Sequence, residues 1–402
     1  MRVLFFPKEF PSTQQPNNGI FILRRAQAVQ GLGHDVRVLR IVPAAPPLGS
    51  KWNAYRSIPH DEVVGGIPVR TIRTLIPPRM IAMEYVPLLV RGALVREVAR
   101  MRADLVHASF LLPCGHAAVR QHLVPAIVTA HGVDAYKWPN LRPGLRRASR
   151  YTVTHADGVT AVSGFIGERL RDLGAKNPRV IWNGGDERFF YPRVRSQCRA
   201  ELNLPEDRRI LAFAGNVLRA KGLFDLVEAL ARISPERRPL AVIAGRGSDE
   251  AELRSLAASR GVELRFTGLL DSERIGMLFG AADAVVLPSH AEGLPNVVCE
   301  AMLSERAVVA STVGGIPEIV RNERSGILVA AHAPEELSNA IERVVNDDAM
   351  RDALAAEARA FAREHLTWRV SALAYEAFYR EVLERAGRLP RSVPDHSLGA
   401  MR

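Results

Sequence analysis

The chain has 402 residues, 47% of them hydrophobic and 24% charged, with a formal net charge of +11. That length and balance suit a soluble globular protein of two ordinary domains and exclude a disordered or low-complexity chain. No apolar run reaches the roughly eighteen residues of a membrane span. The opening M-R-V-L-F-F is cut off by Pro7, Lys8 and Glu9 and is unlike a signal peptide.

Arg2 to Phe6 reads as a buried strand, followed by the polar, Pro-rich loop Phe10 to Gly19. A helix then carries Phe21, Ala28, Val29 and Leu32 on its apolar face, and Gly31 and Gly33 close it before a second strand, Asp35 to Val42. This strand-loop-helix-strand unit opens a Rossmann-like parallel sheet, and Gly19 would let a ligand approach the backbone there. Val42 to Thr74 reads as irregular, with a hairpin at Val63 to Ile72 around Gly65-Gly66. Arg79 to Arg102 mixes Ile81, Met83, Val86, Leu89, Val90 and Leu94 with Arg79, Arg91, Arg96 and Arg100. Such a basic amphipathic helix is either a scaffold helix with a solvated face or one that lies on anionic lipid.

Asp104 to Phe110 and Ala126 to Ala130 are further strands. The second ends in His131-Gly132-Val133-Asp134, at the carboxyl end of a strand, where open α/β sheets bind ligands. Taken alone, His131 reads rather as a hydrogen-bonded structural residue. Arg142, Arg146, Arg147 and Arg150 form a basic cluster facing an acidic acceptor or water, and Asp157 to Ser163 is the next strand.

Arg209 to Ala214 begins a second set of strands and runs into G-N-V-L-R-A-K-G, Gly215 to Gly222, ahead of a helix bearing Leu226, Ala229 and Leu230. Lys221 stands just before that helix, where an ammonium beside free helix N–H groups suits a diphosphate. Leu240 to Gly247, Glu263 to Gly268 and Ala284 to Leu287 continue the sheet, with a helix at Glu273 to Ala281. The stretch Pro288 to Glu300, P-S-H-A-E-G-L-P-N-V-V-C-E, is the end of a buried strand, a turn, and a fresh helix with Asn296 expected as its N-cap. Glu292 lies in the turn and Glu300 one helical turn past Asn296, an arrangement suited to a long ligand with hydroxyls at both ends, such as a sugar nucleotide. On spacing alone the two glutamates also read as a solvated loop residue and a helix-favouring one. Ala307 to Ser311 and Gly326 to Val329 complete the sheet; Glu335 to Val345, Asp348 to Glu364 and Trp368 to Arg385 are helices.

The words around the glutamates decide between those readings. P-S-x-x-E-G-L-P-N-V-V-x-E-A-M, followed by V-G-G-I-P-E-I-V at Val313 to Val320, resembles the signature of the family 4 retaining glycosyltransferases, which carries two glutamates separated by seven residues. N-x-G-I-F before the first helix, H-G-x-D-x-Y at His131, D-G-V-T-A-V-S at Asp157 and N-G-x-D-x-x-x-F-x-P at Asn183 resemble that family too.

The resemblance implies the GT-B fold class: α/β, two Rossmann-like domains whose parallel sheets face a central cleft. It places an acceptor-side domain at 1–188, a nucleotide-sugar domain at 189–366, a helix at 367–387 crossing back to the first domain, and a loose tail at 388–402. It implies a retaining transferase moving a sugar from a UDP- or GDP-sugar to a hydroxyl of a saccharide or lipid-linked saccharide. His131 would contact the donor sugar or its phosphate, with Asp134 orienting the loop. Lys221 would meet the diphosphate, either with Arg219 as a second cation or as the site's one cation, and Glu292 would meet the sugar hydroxyls. Glu300 would hold the ribose, and Gly245 with Arg246 would border the base. Gly19, Asn216, Gly293, Leu294, Asn296 and Val297 would line the donor. No covalent nucleophile is implied, the leaving phosphate taking the acceptor proton on the same face.

No cofactor is expected. The chain has no D-x-D pair to hold a divalent ion on a diphosphate, and its His, Cys, Asp and Glu show no metal-ligand spacing. Cys114, Cys198 and Cys299, far apart and odd in number, point to free thiols in a reducing cytoplasm; a peripheral station on the inner membrane face is the lipid-binding reading of the basic helix Arg79 to Arg102, which the family resemblance favours. The positive charge suits an anionic membrane or substrate; nucleic acid is excluded, since no such motif appears and no aromatics interleave the basic clusters. Three departures stand out. Many members carry Arg at the position of Asn216, and Gly and Pro at those of Glu305 and Ala307. They keep open a degenerate, non-catalytic partner subunit; a separate rival is another GT-B enzyme such as an epimerase or a phosphorylase.

Overall fold

Short apolar runs become the strands of two sheets, described by a computed structural model for residues 1–44, 53–76 and 82–388. The chain divides into two units, Met1–Trp182 with Ser371–Arg402, and Asn183–Val370.

The first unit is built on β1 (Arg2–Pro7), β2 (Asp35–Pro43), β3 (Asp61–Val64), β4 (Ile67–Thr74), β5 (Leu105–Ser109), β6 (Ala126–Ala130), β7 (Gly158–Ala161) and β8 (Arg179–Val180). Their order is β3-β4-β2-β1-β5-β6-β7-β8. Strands β5, β6 and β7 are buried throughout, which is why they read as unbroken apolar runs rather than alternating ones. Val3 of β1 lies opposite Val36 on one side and Leu105 on the other. The sheet is mixed rather than wholly parallel, because β3 turns back antiparallel on β4 through the expected Gly65-Gly66 hairpin. The stretch Val42 to Thr74, read as irregular, therefore contributes an inner strand, β4, paired parallel with β2.

The helix expected over Arg79 to Arg102 runs from Val86 to Met101. Pro87 occupies its first turn, where the missing N–H costs nothing and the fixed φ favours a start. Residues 79–81 of that expectation lie outside the described residues. The helix buries Val86, Val90, Leu94, Val98 and Met101, and leaves Leu88 and Leu89 exposed beside Tyr85. The helix Trp368–Arg385 sends Ala372, Tyr375, Phe378, Tyr379 and Val382 into the core of the first unit. A polar chain ties it there: the Tyr379 hydroxyl lies 2.6 Å from His107 Nδ1, and His107 Nε2 lies 2.6 Å from Thr129 Oγ1. Burial holds the His107 imidazole well below its ordinary range, so these are bonds of a neutral ring.

The second unit carries β9 (Ile210–Ala214), β10 (Leu240–Ala244), β11 (Leu264–Gly268), β12 (Ala284–Leu287), β13 (Ala307–Ser311) and β14 (Ile327–Val329), all parallel, in the order β11-β10-β9-β12-β13-β14. Val285 of β12 sits between Ala212 and Val308. The helix Leu223–Arg232 covers this sheet with Leu223, Leu226, Val227 and Leu230, each large side chain worth ~1.5–3 kcal/mol when buried. The strand order reverses at β9. Loops leaving β9 and β12 therefore diverge to opposite faces and leave a crevice at the carboxyl edge, the place where open α/β sheets bind ligands. Among the described residues no helix is long and apolar enough to cross a membrane.

Candidate active site

The crevice of the second unit is made by the two loops that follow β9 and β12. The first runs through Gly215 and Asn216 to a tight turn at Arg219–Lys221. Gly222 ends that turn at φ 68, and a Cβ there would lie 1.7 Å from the Pro288 carbonyl oxygen. Only glycine lets the loop carrying Lys221 rest on the end of β12. The His290 N–H donates to the Ala220 carbonyl at 2.9 Å, fastening the same two loops a second time.

That close approach brings Lys221 to Glu292. Lys221 Nζ lies 2.6 Å from Glu292 Oε1. The Ser289 hydroxyl donates to the same oxygen at 2.7 Å. The side chains of Lys221 and Glu292 are 27% and 10% exposed, so the pair is sheltered on the carboxylate side and open on the ammonium side. A third loop buttresses the backbone of the glutamate turn: Gly314, at φ 57, packs against the Glu292 carbonyl, and the Gly315 N–H donates to the Gly293 carbonyl at 2.9 Å. The V-G-G-I segment of the sequence signature thus supports the glutamate turn. Ser289, buried and aimed at Glu292, received no role from the sequence, although it stands in the P-S-x-x-E word that singles out the glutamate.

Asn296 is not the N-cap it was expected to be. Pro295 caps the helix Asn296–Leu303 without a side-chain bond, and Asn296 is its first residue. Its Oδ1 instead accepts from Asn183 Nδ2 at 2.9 Å, a partner 113 positions away that local pattern cannot reveal. Gly293 and Leu294 form the turn, and the Leu294 side chain is buried. Val297 and Glu300 are half-buried along the helix that follows.

On the other side of the crevice Asn216 and Arg246 are exposed, and the loops after β9 and β10 touch: the Val217 N–H donates to the Arg246 carbonyl at 3.0 Å, and Gly245 packs on Gly215. Arg219 does not join Lys221. Its guanidinium pairs with Glu252 and lies 4.1 Å over the Phe224 ring, while its N–H donates to Asp249 Oδ2 at 2.7 Å. Lys221 is thus the cation that meets Glu292, two residues from an arginine committed elsewhere.

In the first unit the loops at the carboxyl ends of β1 and β6 position Gly19 and His131. Gly19, at φ 69, precedes the helix Ile20–Gly31, whose Phe21 ring lies 5.0 Å from the His131 ring; Phe110 lies 4.9 Å away. Both His131 ring nitrogens are buried and meet no hydrogen-bond partner among the described residues. Burial, reinforced by Arg25 and His107, holds its pKa well below the ordinary value, so His131 is a neutral donor or acceptor rather than a counter-charge. Asp134 fixes its turn, accepting from the N–H groups of His131 (3.0 Å), Gly132 (2.9 Å) and Leu111 (3.1 Å). Burial pushes the Asp134 carboxyl up to about 6, against the pull of these donors.

Residues 194–361 match the family described as glycosyl transferases group 1, and residues 19–189 match glycosyltransferase family 4. A D-inositol 3-phosphate glycosyltransferase of Nocardioides is 32% identical over 311 residues, 67% of this chain and 68% of the relative. TuaC of Bacillus subtilis, a glycosyltransferase named for teichuronic acid biosynthesis, is 28% identical over 354 residues, 85% of this chain and 89% of the relative. Sucrose-phosphate synthase from Thermosynechococcus elongatus superposes with a TM-score of 0.80 at 23% identity, covering 96% of this chain and 100% of that one. HepE of Anabaena, solved with UDP-glucose, gives 0.74 at 20% identity over 96% of this chain and 100% of that one. The shared fold is the GT-B class expected from the sequence.

Proposed function

The chain belongs to glycosyltransferase family 4, and from that premise we propose that it moves a hexosyl group from a UDP- or GDP-sugar to an acceptor hydroxyl with retention of anomeric configuration. The observation that carries this reading is Lys221 held at the strand-order reversal, 2.6 Å from a sheltered glutamate and just ahead of the helix Leu223–Arg232. In the reaction the bond from the anomeric carbon to the phosphate oxygen breaks, the acceptor oxygen bonds to that carbon on the same face, and the acceptor proton passes to the leaving phosphate. The charge that grows on the diphosphate is met by the Lys221 ammonium and by the helix N–H groups, which have no partners inside the helix. Glu292 holds sugar hydroxyls and Glu300 the ribose. No metal takes part in the chemical step.

The donor class is supported by HepE, which was solved with UDP-glucose, and the acceptor class by TuaC, whose name points to a cell-surface polysaccharide. A lipid-linked acceptor at the inner membrane face fits Tyr85, Leu88 and Leu89, exposed on or beside the helix that also bears Arg91, Arg96 and Arg100.

The test is a thermal-shift panel of UDP-, GDP- and ADP-sugars with free nucleotides, in EDTA, on wild type and Lys221→Ala. Ligand at a hundred times its Kd stabilises by ~2.7 kcal/mol. One nucleotide class should stabilise the wild type, and less so the variant. No shift with any nucleotide would overturn the donor-site reading and favour a non-catalytic partner subunit.

A further inference from the structure

Three side chains that the transfer reaction does not use converge on the outer side of the glutamate loop. Asp225 lies in the first turn of the helix Leu223–Arg232, His290 two residues before Glu292, and His332 between β14 and the helix Pro334–Asn346. His290 Nε2 is 2.7 Å from Asp225 Oδ2, and His332 Nδ1 is 4.0 Å from the same oxygen. The two imidazoles lie against each other with centroids 3.7 Å apart, and one ligating atom from each of the three residues falls within 4.8 Å of the others. Two imidazole nitrogens and a carboxylate oxygen are the donor set of zinc and other borderline divalent ions.

We propose that Asp225, His290 and His332 form a binding site for a divalent ion of the zinc class. The geometry is near what such an ion requires. Tetrahedral bonds of ~2.0–2.1 Å place ligand atoms ~3.3 Å apart. The His290–Asp225 separation, 2.7 Å, must open by roughly 0.6 Å, and the His332–Asp225 separation, 4.0 Å, must close by roughly 0.7 Å to meet that spacing. The His332 side chain is 66% exposed and has room to move. The ion takes the place of the hydrogen bond between His290 Nε2 and Asp225 Oδ2, the ring proton of the neutral imidazole then residing on Nδ1, with water completing the shell. Because the His290 N–H holds the Ala220 carbonyl, the ion clamps the two loops that carry Lys221 and Glu292 without touching either. The site stands apart from the glycosyl-transfer reading and does not rest on it.

The experiment is calorimetric titration of the untagged full chain, stripped with EDTA and dialysed, with zinc chloride. It is followed by cobalt(II) absorption and repeated on His332→Ala and Asp225→Asn. The expected result is one equivalent per chain, at least tenfold weaker in each variant, with a cobalt spectrum of nitrogen and oxygen ligands. Both substitutions are at partly exposed side chains, and melting curves matching wild type identify variants fit to compare. Absence of stoichiometric binding would overturn the proposal. So would unchanged affinity in a folded variant, or a thiolate charge-transfer band assigning the ion to a cysteine.

Discussion

Replacing Lys221 by alanine separates what the Lys221–Glu292 pair does for stability from what it does for turnover. The pair is asymmetric, since the carboxylate is sheltered and the ammonium is partly in water. Lys221→Ala leaves Glu292 with the Ser289 hydroxyl and an uncompensated, largely buried charge, which costs about 1–3 kcal/mol once solvent access is allowed for. Glu292→Gln strands an ammonium that can swing into solvent, and should cost less than about 1 kcal/mol. The double variant should recover part of the first loss, giving a coupling energy of roughly 1–2 kcal/mol. Urea denaturation of the four proteins measures it.

Turnover should respond differently. An ammonium about 4 Å from the departing diphosphate is worth ~4 kcal/mol at an intermediate effective dielectric, close to three decades of rate when expressed only in the transition state. Nucleotide release by Lys221→Ala should therefore fall ~1000-fold, far beyond what its stability loss explains in a protein that is still folded. If Lys221→Ala stayed as active as wild type while losing stability, Lys221 would be a structural counter-ion to Glu292, and the assignment of the leaving-group cation would fail. A coupling energy near zero would instead refute the ion pair itself.

Glu305 sits at φ 55, a conformation that favours glycine and costs a side-chain-bearing residue ~1 kcal/mol; its exposed pair with Arg359 at 3.4 Å returns little of that. Glu305→Gly should raise stability in urea by about 0.5–1 kcal/mol, and a less stable variant would show that the turn depends on the pair. His116, buried beside Thr152, has its pKa lowered to about 4, first by burial and then by the Arg120 charge. As pH drops from about 6.5 to 4 the unfolded chain gains a proton that the native ring refuses, so stability present at neutral pH is lost by up to ~3 kcal/mol. His116→Gln should flatten that slope in urea melts at several pH values, and an unchanged slope would assign it to other groups. The full chain should sediment with anionic vesicles at low salt and not with zwitterionic ones, and Leu88→Ser with Leu89→Ser should weaken that; indifference to anionic vesicles would remove the membrane from the acceptor reading.

What the sequence made legible follows a physical rule. Strands buried on both faces, such as β6, β9 and β12, advertise themselves as apolar runs, and the residues just beyond their ends are placed by the sheet. His131, Lys221 and Glu292 could therefore be assigned to strand-end loops from sequence alone. Features that depend on distant partners could not. The Asn296 side chain turns to Asn183 instead of capping its own helix, and Asp225, His290 and His332 meet only because β12 and β14 end on the same edge. Arg219 and Lys221 show the limit most sharply. Both are cations in one tight turn, two residues apart, and composition treats them alike. Residues at that spacing point to different sides of a turn, so Lys221 faces Glu292 while Arg219 faces Glu252 on the neighbouring helix. A search of the sequence for a second cation at the diphosphate cannot distinguish the two, because the choice is made by φ and ψ within the turn and by Gly222, whose close contact with Pro288 sets which side of the turn looks into the crevice.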